Sequence, residues 1–291
     1  MRLFLKAYRF FFFIFLLQNT CTVHAKQPKS LFFKIDLKKN IVHFGYFLTK
    51  DHHLKVVETN ILTQYDENEV QRIIEQQIDA TLTQHKALIF IHGMWGNKKR
   101  FLNDNIFDFE KDYGTANDVI VHIIWDAKSV NVATCRRHAR KSTPFVTAIL
   151  RGVLQMNDVS PTLMCHSMGN YLFFEMMDSL QKSPQPFEQI LLVAADVSLP
   201  VFEKKLDILA RVGKSTQVFY NKNDVILLLS GIYNREPRLG RKSTTIQRDF
   251  ITKTDCTKVK NKGFRGKMSQ HLYFKTSPVI RELLKKEINA E

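Results

Sequence analysis

Cysteine is scarce in this sequence, with 4 in 291 residues, and so are glycine (11), proline (8) and tryptophan (2). These shortages exclude a dense disulfide scaffold, a collagen-like chain and a low-complexity chain. There is no internal repeat, no long Pro/Gly/Ser linker and no His-Glu-x-x-His metal signature. Past the first 25 residues no apolar run is long enough to span a bilayer. Acidic side chains are short as well, 28 against 43 Lys and Arg, so the formal net charge is +15. That excess raises nucleic acid, an anionic membrane or glycan surface, or an acidic substrate as partners. The hydrophobic fraction of 44% is ordinary for a globular protein.

The N-terminus reads as an export leader. Arg2, Lys6 and Arg9 precede the apolar stretch Phe10 to Leu17, and Val23-His24-Ala25 offers a small residue for cleavage. As a helix the stretch rises only about 12 Å, against a hydrocarbon core of roughly 30 Å. Removing residues 1–25 takes away three basic side chains and leaves 266 residues at +12. Three cysteines then remain. Cys165 lies in an apolar run, so Cys135 with Cys256 is the expected pair if any bridge forms.

The mature chain alternates strands and helices. Leu31 to Leu37 and Ile41 to Thr49 flank Lys38-Lys39-Asn40 as a β-hairpin, and Asp66 to Gln84 has helical periodicity. Ala87 to Ile91, Val119 to Trp125, Pro161 to Cys165, Ile190 to Val197 and Thr216 to Tyr220 read as buried strands. Helices are predicted over Lys98 to Tyr113, Thr143 to Met156, Met168 to Gln181 and Ser277 to Asn289. Gly231 to Gly266 reads as an irregular, basic excursion. The pattern predicts an α/β fold, a mostly parallel sheet with helices on both faces. An extension over 26–86 precedes a main domain over 87–291.

Chemistry concentrates in a few short motifs. Cys165-His166-Ser167-Met168-Gly169 follows an apolar strand and precedes a helix, as in a G-x-S-x-G elbow with Cys165 replacing the first glycine. Such a turn exposes the serine hydroxyl and aims the helix N-terminus at it. His92-Gly93-Met94 ends an earlier strand, so the N–H groups of Met94 and Met168 are the expected oxyanion donors, with His92 read as a loop-bonding histidine. Nine of the ten histidines precede Ser167, which leaves His271 as the base if the order is serine, acid, histidine. Asp224, after the Thr216 to Tyr220 strand, is the first candidate acid. Asp196, after the Ile190 to Val197 strand, is the alternative.

Taken together, these residues resemble the α/β-hydrolase superfamily, and more narrowly an uncharacterised bacterial branch of it with a Cys-His-Ser-Met-Gly elbow. The match runs through His92-Gly93, His166 to Asn170, Ala195-Asp196-Val197 with Phe202, Asn223-Asp224, Arg238-Leu239-Gly240, and His271 before Tyr273-Phe274. The resemblance implies an α/β-hydrolase fold and a serine hydrolase with Ser167, Asp224 and His271 as triad, needing no cofactor or metal. It supplies no substrate; a small-molecule or lipid ester fits acyl transfer.

Other classes find less support. Cys135-x-x-His138 lacks further metal ligands, and His52-His53 reads as an exposed pair. The basic runs Arg136 to Lys141 and Lys258 to Lys267 read as solvated faces, and an exported protein rarely meets nucleic acid. The serious competitor is an α/β-hydrolase fold kept as a catalytically silent binding protein.

Overall fold

The computed structural model describes residues 29–50, 53–56, 60–62, 66–76, 84–96, 109–113, 117, 119–129, 131–258 and 270–289. The leader, His52 and most of the basic run after Lys258 lie outside them.

Among the described residues ten strands form one sheet. In chain order they are β1 (Lys29–Asp36), β2 (Ile41–Lys50), β3 (His53–Val56), β4 (Asn60–Leu62), β5 (His85–Ile91), β6 (Val119–Ile124), β7 (Val159–His166), β8 (Phe187–Val193), β9 (Gly213–Tyr220) and β10 (Ile251–Asp255). The order across the sheet is β10-β9-β8-β7-β5-β6-β1-β2-β3, with β4 also paired to β2. From β10 through β1 every neighbour is parallel, while β2 runs antiparallel to β1, β3 and β4. The expected hairpin is β1–β2, and β1 joins the parallel sheet through β6 rather than standing apart from it.

The central strands are apolar on both faces because both faces are covered. Along β5, Ala87, Ile89 and Ile91 enter one core cluster while Leu88 and Phe90 enter the other. The first face carries α1 (Glu67–Glu75), α2 (Val132–Leu154), α3 (Met168–Leu180), α4 (Leu199–Lys204) and α5 (Leu206–Val212) through Val70, Val146, Leu172, Phe202 and Leu209. Against the second face lie α6 (Val225–Asn234), α8 (Tyr273–Thr276) and α9 (Pro278–Asn289), through Leu227, Phe274, Ile280 and Leu284. A short α7 (Leu239–Lys242) follows α6. No helix among the described residues is long and apolar enough to cross a membrane.

Several expectations need correction. Helix α2 begins eleven residues before Thr143, capped by the Asn131 side chain on the Thr134 N–H, and runs through Pro144. Proline lacks a backbone donor and normally ends a helix pattern, so the basic turns before it escape a helix prediction. The segment after Gly231 holds the end of α6, α7 and the edge strand β10, whose ladder to β9 supplies order that its polar composition hides. Cys135 and Cys256 do not pair. Both are free and buried, in the two different core clusters, with the sheet between them. Of the helix predicted over 98–113, residues 109–113 are helical and 98–108 lie outside the described residues.

Candidate active site

Ligands in open parallel sheets bind beyond the carboxyl ends of the strands, and the chemistry of this chain gathers there. Ser167 sits between β7 and α3 with φ 53° and ψ −120°, a left-handed conformation that costs a non-glycine residue about 1–3 kcal/mol. Its surroundings hold it in place. The Ser167 N–H donates to the Val193 carbonyl at 3.0 Å, and its carbonyl accepts from Asn170 N–H and Asp196 N–H. The buried Asn170 amide donates to the carbonyls of Cys165, Ser167 and Val193. Two glycines leave room for the turn. A Cβ at Gly169 would lie 2.4 Å from the Ile91 carbonyl oxygen, and one at Gly93 2.7 Å from the Ser167 Cβ. Cys165 is buried, and burial pushes its thiol pKa well up.

His271 reaches Ser167 from the far end of the chain. Its Nε2 accepts from the Ser167 hydroxyl at 2.8 Å, and its Nδ1–H donates to Asp224 Oδ2 at 2.7 Å. All three side chains are buried. Asp224 is also the N-cap of α6, its Oδ1 accepting the Leu227 N–H at 2.9 Å. A carboxylate at a helix N-terminus is favoured by the helix dipole, so one residue both starts α6 and orients the imidazole. Asp196 is not part of this line. Its backbone touches the elbow, but its side chain accepts from the Ser230 hydroxyl at 2.5 Å and faces Arg238 Nε at 3.3 Å.

The loop carrying His271 is fastened on three sides. The Asn221 amide donates to Gln270, at 3.2 Å to the carbonyl and 2.7 Å to the side chain. His166 Nε2–H donates to the His271 carbonyl at 3.2 Å. Tyr273 takes a hydrogen bond from Ala194 N–H at 2.8 Å and donates to the Phe219 carbonyl at 2.7 Å. Sequence reasoning assigned none of these supports. Asn170 and Tyr273 fall inside the motifs that carry the family resemblance, but nothing in them assigned a supporting role, and Asn221 carried no signal beyond its closeness to Asp224.

Above Ser167 lies a cavity of about 150 Å³, walled mainly by apolar groups: Phe90, Trp95, Ile226, Leu272 and Phe274, with Met94 at its edge. The His92 loop bounds one side. His92 Nδ1–H donates to the Gly93 carbonyl at 2.7 Å, and the Trp125 indole N–H donates to the His92 carbonyl at 2.8 Å. Burial holds the His92 pKa down to about 4, so this ring is a neutral loop brace. Trp95 N–H donates to the Ala127 carbonyl at 2.8 Å, fixing the backbone next to Met94. Met168 opens α3, so its N–H is among those without an intrahelical acceptor.

A family model described as an alpha/beta hydrolase of unknown function (DUF900) matches residues 66–287. The chain belongs to this α/β-hydrolase family. The site of this α/β-hydrolase therefore falls wholly inside the matched region. No curated protein sequence matches. Among solved structures, the chain is similar to the Francisella virulence factor BioJ, at 12% identity and TM-score 0.40, over 88% of this chain and 83% of that one. It is also similar to the peroxisomal alpha-beta-hydrolase Lpx1 of Saccharomyces cerevisiae, at 11% identity and TM-score 0.35, over 91% and 83%.

Proposed function

We propose that this α/β-hydrolase is an exported serine hydrolase that cleaves a carboxylic ester through an acyl-enzyme. The observation that carries the reading is the continuous hydrogen-bond line from Ser167 through His271 to Asp224, with the serine held on a left-handed elbow. Ser167 Oγ attacks the carbonyl carbon as His271 Nε2 takes its proton, and Asp224 stabilises the imidazolium. The N–H groups of Met94 and Met168 receive the oxyanion. His271 then passes its proton to the departing alcohol. Water, deprotonated by His271, attacks the acyl carbon; the acid leaves and Ser167 regains its proton.

The cavity supports a compact apolar acyl group. A space of about 150 Å³ accepts a benzene-sized body, about six heavy atoms. Helix α6, which reaches the cavity through Ile226, exposes Leu229, Ile232 and Tyr233, and Lys222 and Arg235 just outside its two ends are exposed as well. An anionic membrane or glycan surface fits that combination of apolar and basic groups. Export rests on the basic start, the eight-residue apolar core and Ala25.

The test is Ser167→Ala against wild type on esters of increasing chain length, with fluorophosphonate labelling of both. Hydrolysis of butyrate to hexanoate esters should exceed that of palmitate, and the variant should lose about 10⁵- to 10⁶-fold in kcat along with all labelling. A folded wild type that neither hydrolyses nor labels identifies a silent binding protein instead, and labelling that survives Ser167→Ala identifies a different nucleophile.

A further inference from the structure

A second cavity, of about 530 Å³, shares no lining residue with the catalytic one. Its inner wall holds Arg238, only 3% exposed, and Ser198, 6% exposed. Arg238 Nη2 and Ser198 Oγ are buried without a hydrogen-bond partner, as are Nε and Nη2 of Arg136, which also lines the space. Arg238 Nε, although 3.3 Å from Asp196, lacks hydrogen-bond alignment as well. Native interiors rarely leave so many donors of one small region unsatisfied. We propose that this cavity is a binding site for an oxyanionic group, of which inorganic phosphate is the simplest probe.

Placement and charge agree with the donor set. Arg136 is positioned by Asn234, to which its Nη1 donates, and by the face of Tyr171, whose ring centroid is 5.1 Å from the guanidinium carbon. That leaves its Nε and Nη2 edge for a ligand, and an arginine edge matches the geometry of an oxyanion. Two guanidiniums, Arg136 and Arg238, line the cavity, and the one buried carboxylate beside them, Asp196 next to Arg238, lies outside its lining. The acids of the lining, Glu175, Asp178 and Glu236, are exposed, and Asp178 is already paired with Lys205 at 2.8 Å. Burial lowers the Arg238 pKa, with Asp196 and, more weakly, Glu236 opposing the shift and Arg136 adding to it. A bound anion would relieve both the burial cost and the repulsion between the two cations.

The site is independent of the ester chemistry, so its test is binding. Phosphate is titrated into the full chain at constant ionic strength, followed by calorimetry and thermal unfolding. Saturable binding is expected, with Tm raised by about 3–5 °C at ten times Kd. Arg136→Gln, a half-buried position, should raise Kd at least about tenfold while leaving ester hydrolysis unchanged; Arg238→Gln should abolish binding. Ser167→Ala should bind phosphate as wild type does, which separates this site from the catalytic reading. A Tm rise matched by sodium chloride, or a wild-type Kd in Arg136→Gln, overturns the proposal.

Discussion

Asp224 and Asp196 follow the ends of adjacent parallel strands, β9 and β8, both buried and both on the side of the sheet where Ser167 lies. They differ in what neutralises them. Asp196 faces a permanent cation, Arg238, and takes a hydroxyl proton from Ser230. Asp224 accepts one backbone N–H and one imidazole N–H, so a full cation faces it only while His271 carries a second proton, on Nε2. An interaction that strengthens only as charge develops lowers the barrier, whereas one present throughout adds stability without rate. On the proposed mechanism the partners, more than the carboxylates, divide the two roles.

Breaking the comparison at Asp224 should give the larger effect. Asp224→Asn keeps the shape but offers an amide where the imidazole N–H needs an acceptor, which favours the wrong tautomer. A fall in kcat of about 10⁴-fold is expected, with KM changed little, measured on the best ester of the panel. Because the Asn side chain still caps helices well, Tm should move little. A large loss of Tm alongside activity would mean that Asp224 acts mainly as the cap of α6.

How far these roles were legible in the sequence follows from how local each one is. Ser167 was legible because an elbow is a local device: strand, small residues and helix lie within a dozen positions. His271 was legible by elimination, since no other histidine follows the serine. The proposed oxyanion donors, Met94 and Met168, rest on the same two turns. Asp196 and Asp224 stayed a pair of alternatives because each follows a buried strand, and the distinguishing partner, Arg238, lies some forty residues beyond Asp196 in a segment that reads as irregular. The Cys135–Cys256 pairing failed for a related reason: spacing carries no record of which face of a sheet each residue reaches. Of the fold, the apolar runs marked β5 to β9. The start of α2 and the strand β10 were hidden because a capped, basic first turn and a half-exposed edge strand both look polar.

The complementary break is Asp196→Asn. It leaves Arg238 buried opposite a neutral amide, so unfolding free energy should fall by about 3–5 kcal/mol, read from denaturant midpoints. Hydrolysis by the folded fraction should stay within about tenfold of wild type, because neither side-chain oxygen of Asp196 touches His271. A fall of Asp224-like size with unchanged stability would make Asp196 the working acid. Adding Arg238→Met to Asp196→Asn should recover part of the stability, since the uncompensated charge is then removed.

The same contrast extends to the histidines and gives the smallest effect. His271 has a hydroxyl and a carboxylate as partners, whereas His92, His122 and His166 are neutral because burial disfavours their charged forms. For His122 the pKa falls from 6.5 to about 3, with repulsion from His92 adding to burial. Since the folded value is depressed, the unfolded chain takes up protons first as pH drops. Stability is therefore complete above about pH 6.5 and is lost progressively towards pH 3, below which this group adds no further loss. Between pH 7 and pH 5 each such histidine should remove about 2 kcal/mol. His122→Leu should shrink the pH 7 to pH 5 loss by that amount, whatever it does to stability at pH 7 itself. The reading is the difference in slope of unfolding free energy against pH. An unchanged slope would mean that His122 takes up its proton in the fold as readily as in the unfolded chain, so that its surroundings beside Phe90 and Phe109 offset the cost of burial.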